Sequence, residues 1–348
     1  MLENTTLENV RYYQPIAPQI SIDQGDPYAL TIPDDVRREH PELYRYYIFT
    51  TTDTPRDGKS TPCYGTNDFV TVDFLGHVLN GAQQVAYWAP CVRYIPGLEY
   101  PWVMLFSQSI GMGEDSHVGH AIHRAHSRLP QGPYAYSGHI VSPADSDFAI
   151  DPEIYVGSDG QLRMAWATDF VHDLPFGTGL VEARINHDLT ALISPPVELV
   201  RAKHPSQIYE RSRHMPWKQI PGIDWDKGDR VAEWYTVEGP VWLESEQWRP
   251  AMLYSTGNFN DESYQIWALA ENEQGVLEDV SNTKGHVVLR SQPESDRYSM
   301  GHPSVIDAYH LLTHMRIGKD GPRQMAVVPI RRTADGLPYV PAYADLLT

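Results

Sequence analysis

Ile150-Asp151-Pro152-Glu153 is followed, across an Asp159-Gly160 turn, by Leu162-Arg163-Met164-Ala165-Trp166-Ala167-Thr168. The first piece is a tight, proline-containing segment with two carboxylates. The second is a short apolar and aromatic run, which reads as a buried strand. The pair recurs along the chain. Gly25-Asp26-Pro27 precedes a strand at 46–52, and Tyr87-Trp88-Ala89-Pro90 precedes one at 102–107. Val237-Glu238-Gly239-Pro240 precedes 251–256, and Gly301-His302-Pro303-Ser304 precedes 310–315. Taking 26, 88, 151, 238 and 302 as the register, the intervals are 62, 63, 87 and 64 residues. A further strand follows in each period, at 69–74, 118–122, 179–185, 265–269 and 325–330. A long fixed period holding several strands marks repeated β-sheet blades. The reading is all-β: a single domain forming a five-bladed β-propeller, in which radial repetition leaves only short, protected edges. The blades fall roughly at 20–80, 81–140, 141–202, 231–292 and 293–340, with an insertion at 203–230. That insertion is basic and carries Trp217 and Trp225; it reads first as a solvated loop, and alternatively as a loop over one end that helps shape a pocket. One short helix is expected at 33–40.

Composition narrows the function. The 348 residues include 9 Trp, 21 Tyr and 8 Phe, too many for a disordered chain. Lys plus Arg is 27 against 45 Asp plus Glu, a formal charge of −18. That balance argues against a nucleic-acid backbone or an anionic membrane as partner. No βαβ alternation and no glycine-rich phosphate loop is present, which argues against a nucleotide-binding α/β fold. No apolar run is long enough for a transmembrane helix. The first six residues lack a basic start and an apolar run, so the expected location is cytoplasmic, or secreted if a leader has been removed. Cys63 and Cys91 are the only cysteines and are expected as thiols rather than a disulfide.

The innermost strand of each propeller blade lines a central channel, so equivalent positions converge on the axis. Asp26, Asp151, Glu238 and His302 would meet there, with Trp88 from the second blade. Three carboxylates at one point cannot all ionise freely, so at least one pKa must rise. That suits a general acid beside a general base. Asp23 is a rival base, but Asp26 is the one followed by proline and in register. His117, His120, His123 and His126 recur every three residues. On a strand that spacing alternates faces, which argues against zinc. His117 is the member expected to reach the pocket.

These motifs, in this order, resemble glycoside hydrolase family 43, the five-bladed propeller glycosidases. The resemblance rests on Gly25-Asp26-Pro27-Tyr28-Ala29-Leu30, Trp88-Ala89-Pro90 and Ile150-Asp151-Pro152-Glu153 with Asp159-Gly160. It continues in Val237-Glu238-Gly239-Pro240, in Gly301-His302-Pro303-Ser304, and in Arg323 with Pro329-Ile330 and Asp335-Gly336-Leu337-Pro338-Tyr339. It implies Asp26 as the base that activates water, Glu238 as the acid, and Asp151 as the residue that orients the acid and raises its pKa. It implies Trp88 beside the terminal sugar and Arg323 on its hydroxyls. It also implies His302 in the channel, near a calcium coordinated through water, with no other cofactor required. Inversion at the anomeric carbon is implied, which needs room for a water between Asp26 and Glu238. The expected substrate is a plant cell-wall-type oligosaccharide losing a terminal pentose, α-L-arabinofuranose first and β-D-xylose second. Two other readings are a non-catalytic glycan-binding propeller and a phosphorylase of similar shape, the latter drawing on the basic insertion. Departures from the family pattern are Cys91, where an acidic residue or His is usual, and a long 31–45 stretch; both are expected near the pocket.

Overall fold

The computed structural model describes residues 7, 9–17, 23–53, 57–81, 86–109, 119–142, 146, 148–172, 174–214, 231–243 and 248–347. Five sheets, antiparallel save for one parallel contact in the third, follow one another along the chain, with a small two-stranded sheet of Arg331–Arg332 and Pro338–Tyr339 after them. Blade 1 holds β1 (Tyr28–Thr31), β2 (Tyr46–Phe49), β3 (Lys59–Thr66) and β4 (Val72–Asn80), with the helix α1 (Asp34–Glu39) between β1 and β2. Blade 2 holds β5 (Tyr87–Tyr94), β6 (Trp102–Ser109), β7 (His120–Ser127) and β8 (Ala135–Val141). Blade 3 holds β9 (Ala149–Val156), β10 (Leu162–Phe170), β11 (Gly177–Arg184) and β12 (Val197–Arg201). The expected insertion begins as structure: β13 (Ile208–His214) pairs with β14 (Val231–Tyr235), and β14 meets β11 through Gly177 and Tyr235. Trp217 and Trp225 lie outside the described residues. Blade 4 holds β15 (Val237–Leu243), β16 (Ala251–Thr256), β17 (Gln265–Glu271) and β18 (Leu277–Asp279), with β19 (Leu289–Arg290) also on β17. Blade 5 holds β20 (Arg297–Asp307), β21 (His310–Ile317) and β22 (Gln324–Pro329).

The fourth strand position of blade 5 is filled from the other end of the chain. The Tyr13 and Ile16 N–H groups donate to the Val327 and Met325 carbonyls, each at 3.0 Å. The N-terminal segment therefore closes the ring against β22.

Blade stacking explains why the second strands read as continuous apolar runs rather than alternating ones. Both of their faces are covered. In β10, Trp166 packs towards blade 2 with Leu105, while Ala165 packs towards blade 4 with Met252 and Tyr254. In β16 and β21, Leu253 and Leu311 share the next seam, and Leu312 turns to blade 1 with Ile48. Phe49, Met104 and Phe106 fill the fifth seam, between blades 1 and 2.

The structural repeat is set by the prolines. Asp26, Ala89, Asp151, Gly239 and His302 each precede proline and each has positive φ, at 52°, 44°, 57°, 56° and 49°. The residue before proline normally sits in extended backbone, and a positive φ is uncommon outside glycine. Five instances at intervals of 63, 62, 88 and 63 residues are therefore one device built five times. Each turn breaks the ladder to the next strand, as between Trp88 and Cys91, Glu238 and Val241, and Gly301 and Ser304. The register expected from sequence is thus shifted by one in two blades. Trp88 and Glu238 sit one residue ahead of the pre-proline position.

Candidate active site

The one-residue shift sorts the side chains. The residue just before each turn is Gly25, Trp88, Ile150, Glu238 or Gly301. Trp88, Ile150 and Glu238 line a pocket of about 780 Å³ at one end of the channel. The two glycines admit side chains from elsewhere. A Cβ on Gly25 would lie 2.2 Å from the Arg323 guanidinium carbon, and one on Gly301 would lie 2.1 Å from the Tyr264 ring. Asp26, Asp151, His302 and Arg323 line the same pocket. Six of the residues singled out in the sequence therefore converge. His117 lies outside the described residues.

Asp26 sits among a hydroxyl, a guanidinium and two imidazoles. Thr51 Oγ1 donates to Asp26 Oδ2 at 2.7 Å. Arg323 Nη1 is 3.3 Å from Oδ1, and Nδ1 of His302 and of His314 are 3.3 and 3.5 Å from the same atom. Burial opposes the charged form, but Arg323, His302, His314 and the Thr51 bond outweigh it. Its pKa falls well below the usual carboxylate range, so Asp26 is ionised. Asp23, the rival, accepts from Arg323 Nε at 2.8 Å and from Nη2 at 2.5 Å. It anchors the arginine that faces Asp26.

Among the described residues Glu238 has one hydrogen-bond donor, Tyr264 Oη, which donates to Oε1 at 2.7 Å. Burial raises its pKa to about 7; the Tyr264 bond and Arg323 work against that rise, and the Asp26 charge adds to it. Asp151 is 6% exposed. Burial, then the charges of Glu238 and Asp26, push its pKa well up, while a hydrogen bond from Gly239 N–H opposes them. That bond is 2.9 Å long and ends on Oδ2. It ties Asp151 to the residue next to Glu238.

Trp88 is held on two sides. Its Nε1–H donates to Asp53 Oδ1 at 2.7 Å, and its ring stacks on His120 at 4.3 Å and 20°. His120 is fully buried. From the histidine run, His120 thus reaches the site through the Trp88 ring. Tyr209, Glu210, Arg213 and Trp234 of the β13–β14 hairpin form one wall, and the 31–45 stretch contributes no lining residue. Instead Ile32, Val36 and Leu43 pack into the seam between blades 1 and 2. Cys91 is also away from the pocket, 1% exposed with Sγ 3.7 Å from Glu153 Oε2. Both cysteines are free and buried. Sequence reasoning missed Thr51, Asp53, His120, Tyr264 and His314, whose roles come from contacts with residues distant in the chain.

Beneath the pocket lies a cavity of about 20 Å³, lined by Asp26, Ala89, Asp151 and His302, by the five prolines of the turns, and by Glu153. That is room for about one water. No group of three His, Cys, Asp or Glu among the described residues could hold a metal ion directly. His302 lines this cavity, and its Nδ1 faces Asp26 and Asp151. No described helix is long and apolar enough to cross a membrane.

A family model described as glycosyl hydrolases family 43 matches residues 33–338. Among solved structures, a thermostable family-43 glycoside hydrolase superposes with a TM-score of 0.68 at 19% identity, over 95% of this chain and 96% of that one. An endo-1,4-beta-xylanase from Bacteroides thetaiotaomicron VPI-5482 gives 0.65 at 16% identity, covering 92% and 95%. An alpha-L-arabinofuranosidase from Lactobacillus brevis gives 0.63 at 18% identity, covering 94% and 95%. No curated protein matches the sequence. The chain belongs to glycosyl hydrolases family 43, and its five-bladed propeller is that of the family's solved structures.

Proposed function

We propose that this glycoside hydrolase inverts at the anomeric carbon and releases a terminal pentose from plant cell-wall-type oligosaccharides. An α-L-arabinofuranoside is the first-choice substrate and a β-D-xyloside the second. One observation carries the chemistry: the same pocket holds a carboxylate kept ionised, Asp26, and a carboxyl that keeps its proton up to about pH 7, Glu238. In the proposed reaction Asp26 takes a proton from water as the water oxygen attacks the anomeric carbon. Glu238 gives its proton to the departing glycosidic oxygen. The protons on the two carboxyls are then reset through solvent. Asp151 supports the acid by fixing its turn and by disfavouring its charge. Trp88, braced by Asp53 and His120, offers an apolar face to the sugar. The pentose choice draws on the neighbouring arabinofuranosidase and xylanase.

Nitrophenyl glycosides, with products followed by NMR, test the proposal. The expected result is release from the α-L-arabinofuranoside or the β-D-xyloside, with the opposite anomer formed first. Retention of configuration would overturn the mechanism. Turnover only in the presence of phosphate would make the chain a phosphorylase, and no release from any glycoside would make it a binding protein.

A further inference from the structure

Each of the five turns presents one backbone N–H to the preceding blade. In four, a side chain at one equivalent position accepts it. Thr51 Oγ1 takes the N–H of Ala89 at 3.0 Å, Ser107 Oγ that of Asp151 at 2.9 Å, and Ser255 Oγ that of His302 at 2.7 Å. His314 Nδ1 takes that of Asp26 at 3.3 Å. The equivalence is fixed by pairing within each blade. Thr51 bonds back to Gly25, and Ser107, Ser255 and His314 face Trp88, Glu238 and Gly301.

The fifth equivalent position, facing Ile150, is Ala167. A methyl group accepts nothing. The N–H that would have gone there belongs to Gly239, and it goes to Asp151 Oδ2 at 2.9 Å. The repeat is broken at one seam only, and there the released donor meets a buried carboxylate of the site.

We propose that Ala167 is a positioning residue for catalysis. By offering no acceptor, it assigns the Gly239 N–H to Asp151 and so couples Asp151 to the turn that carries Glu238. This inference rests on reading Glu238 as the acid. An N–H aimed at a buried carboxylate favours its charged form. It therefore lowers the share of the pair's proton that Asp151 keeps and raises the share left on Glu238.

The test is Ala167→Ser, which copies what blades 2 and 4 already hold at this position, with Ala167→Gly as the control that adds no acceptor. In Ala167→Ser the hydroxyl competes for the Gly239 N–H. The expected result is a kcat roughly three- to tenfold lower with KM nearly unchanged, and a basic limb of the pH–rate profile moved to lower pH. Ala167→Gly should keep the wild-type limb. The Gly239 amide resonance gives a readout independent of turnover: it should follow the Asp151 titration in the wild type and lose that response in Ala167→Ser. An unchanged limb and an unchanged Gly239 titration in a folded Ala167→Ser would overturn the inference. Equal losses in both variants with the same limb would reduce Ala167 to packing. Failure of the acid assignment shows separately, as Glu238→Gln retaining full rate on a poor leaving group.

Discussion

The two sides of the pocket are built from the same turn but have opposite chemistry. On the Asp26 side, two imidazoles, a guanidinium and a threonine hydroxyl surround one carboxylate. On the Glu238 side, a single phenol donates to the other. Both carboxyls are taken out of water. Burial alone would raise both, and it does raise Glu238; at Asp26 the positive neighbours reverse the sign. The lesson is that a repeat supplies position while the neighbours supply protonation state. The propeller brings Asp26 and Glu238 to one end, and Arg323 beside Asp26, with burial prevailing at Glu238, sets the two carboxyls apart in protonation state.

The largest break in this contrast comes from deleting either side. Asp26→Asn and Glu238→Gln should each lower kcat on the order of 10²–10⁴-fold on a glycoside with a poor leaving group. An activated aryl leaving group should rescue Glu238→Gln in large part and Asp26→Asn hardly at all, in steady-state kinetics. Next comes removal of the cation. Arg323→Met should let the Asp26 pKa climb by about 1–3 units, towards the ordinary carboxylate range. Because the base works ionised, the acid limb of the pH–rate profile should then move to higher pH. A limb that stays put would mean Arg323 does not set the Asp26 charge.

A smaller shift is expected on the other side. Tyr264 stabilises the charged form of Glu238, so Tyr264→Phe should raise its pKa above about 7. The acid works protonated, so the basic limb should move to higher pH, by about 0.5–1 unit for one lost hydrogen bond. The smallest effect should come from Trp88, which holds the same position in blade 2 that Glu238 holds in blade 4. Trp88→Ala should raise KM roughly two- to tenfold with little change in the pH limbs, measured on the same glycosides. A moved limb would show that Trp88 reaches beyond binding.

Much of this was readable in the chain because the turns are written locally. A proline after each turn and an apolar run after each proline exposed the five blades, and four of the five turns displayed a titratable group. The register slipped by one at Trp88 and Glu238 because it was aligned on chemistry, while the backbone is aligned on proline. The pre-proline residues there are Ala89 and Gly239, which advertise nothing. Tyr264 and His314 were invisible for another reason. Each acts on a residue in a different strand, 26 and 288 positions away. The 31–45 stretch misled because its length suggested a pocket wall, whereas Ile32, Val36 and Leu43 are buried between blades 1 and 2. Of the β13–β14 pair, only β13 falls within the expected 203–230 insertion; β14, at Val231–Tyr235, lies in the range expected for the start of blade 4 but pairs with β13 and β11.

The closure of blade 5 by residues 13–16 bears on biosynthesis. Asp26 leaves the ribosome long before His302, His314 and Arg323, the groups that surround its carboxylate. Gln24 N–H bonds the Arg323 carbonyl at 3.2 Å, so the first turn and the last blade are fastened together. A growing chain can stack blades 1 to 4 in order, but Asp26 remains without Arg323 until blade 5 emerges and pairs with residues 13–16. Closing so distant a contact is slow relative to local strand pairing. The surroundings of Asp26 are therefore completed in one late step, when the ring shuts.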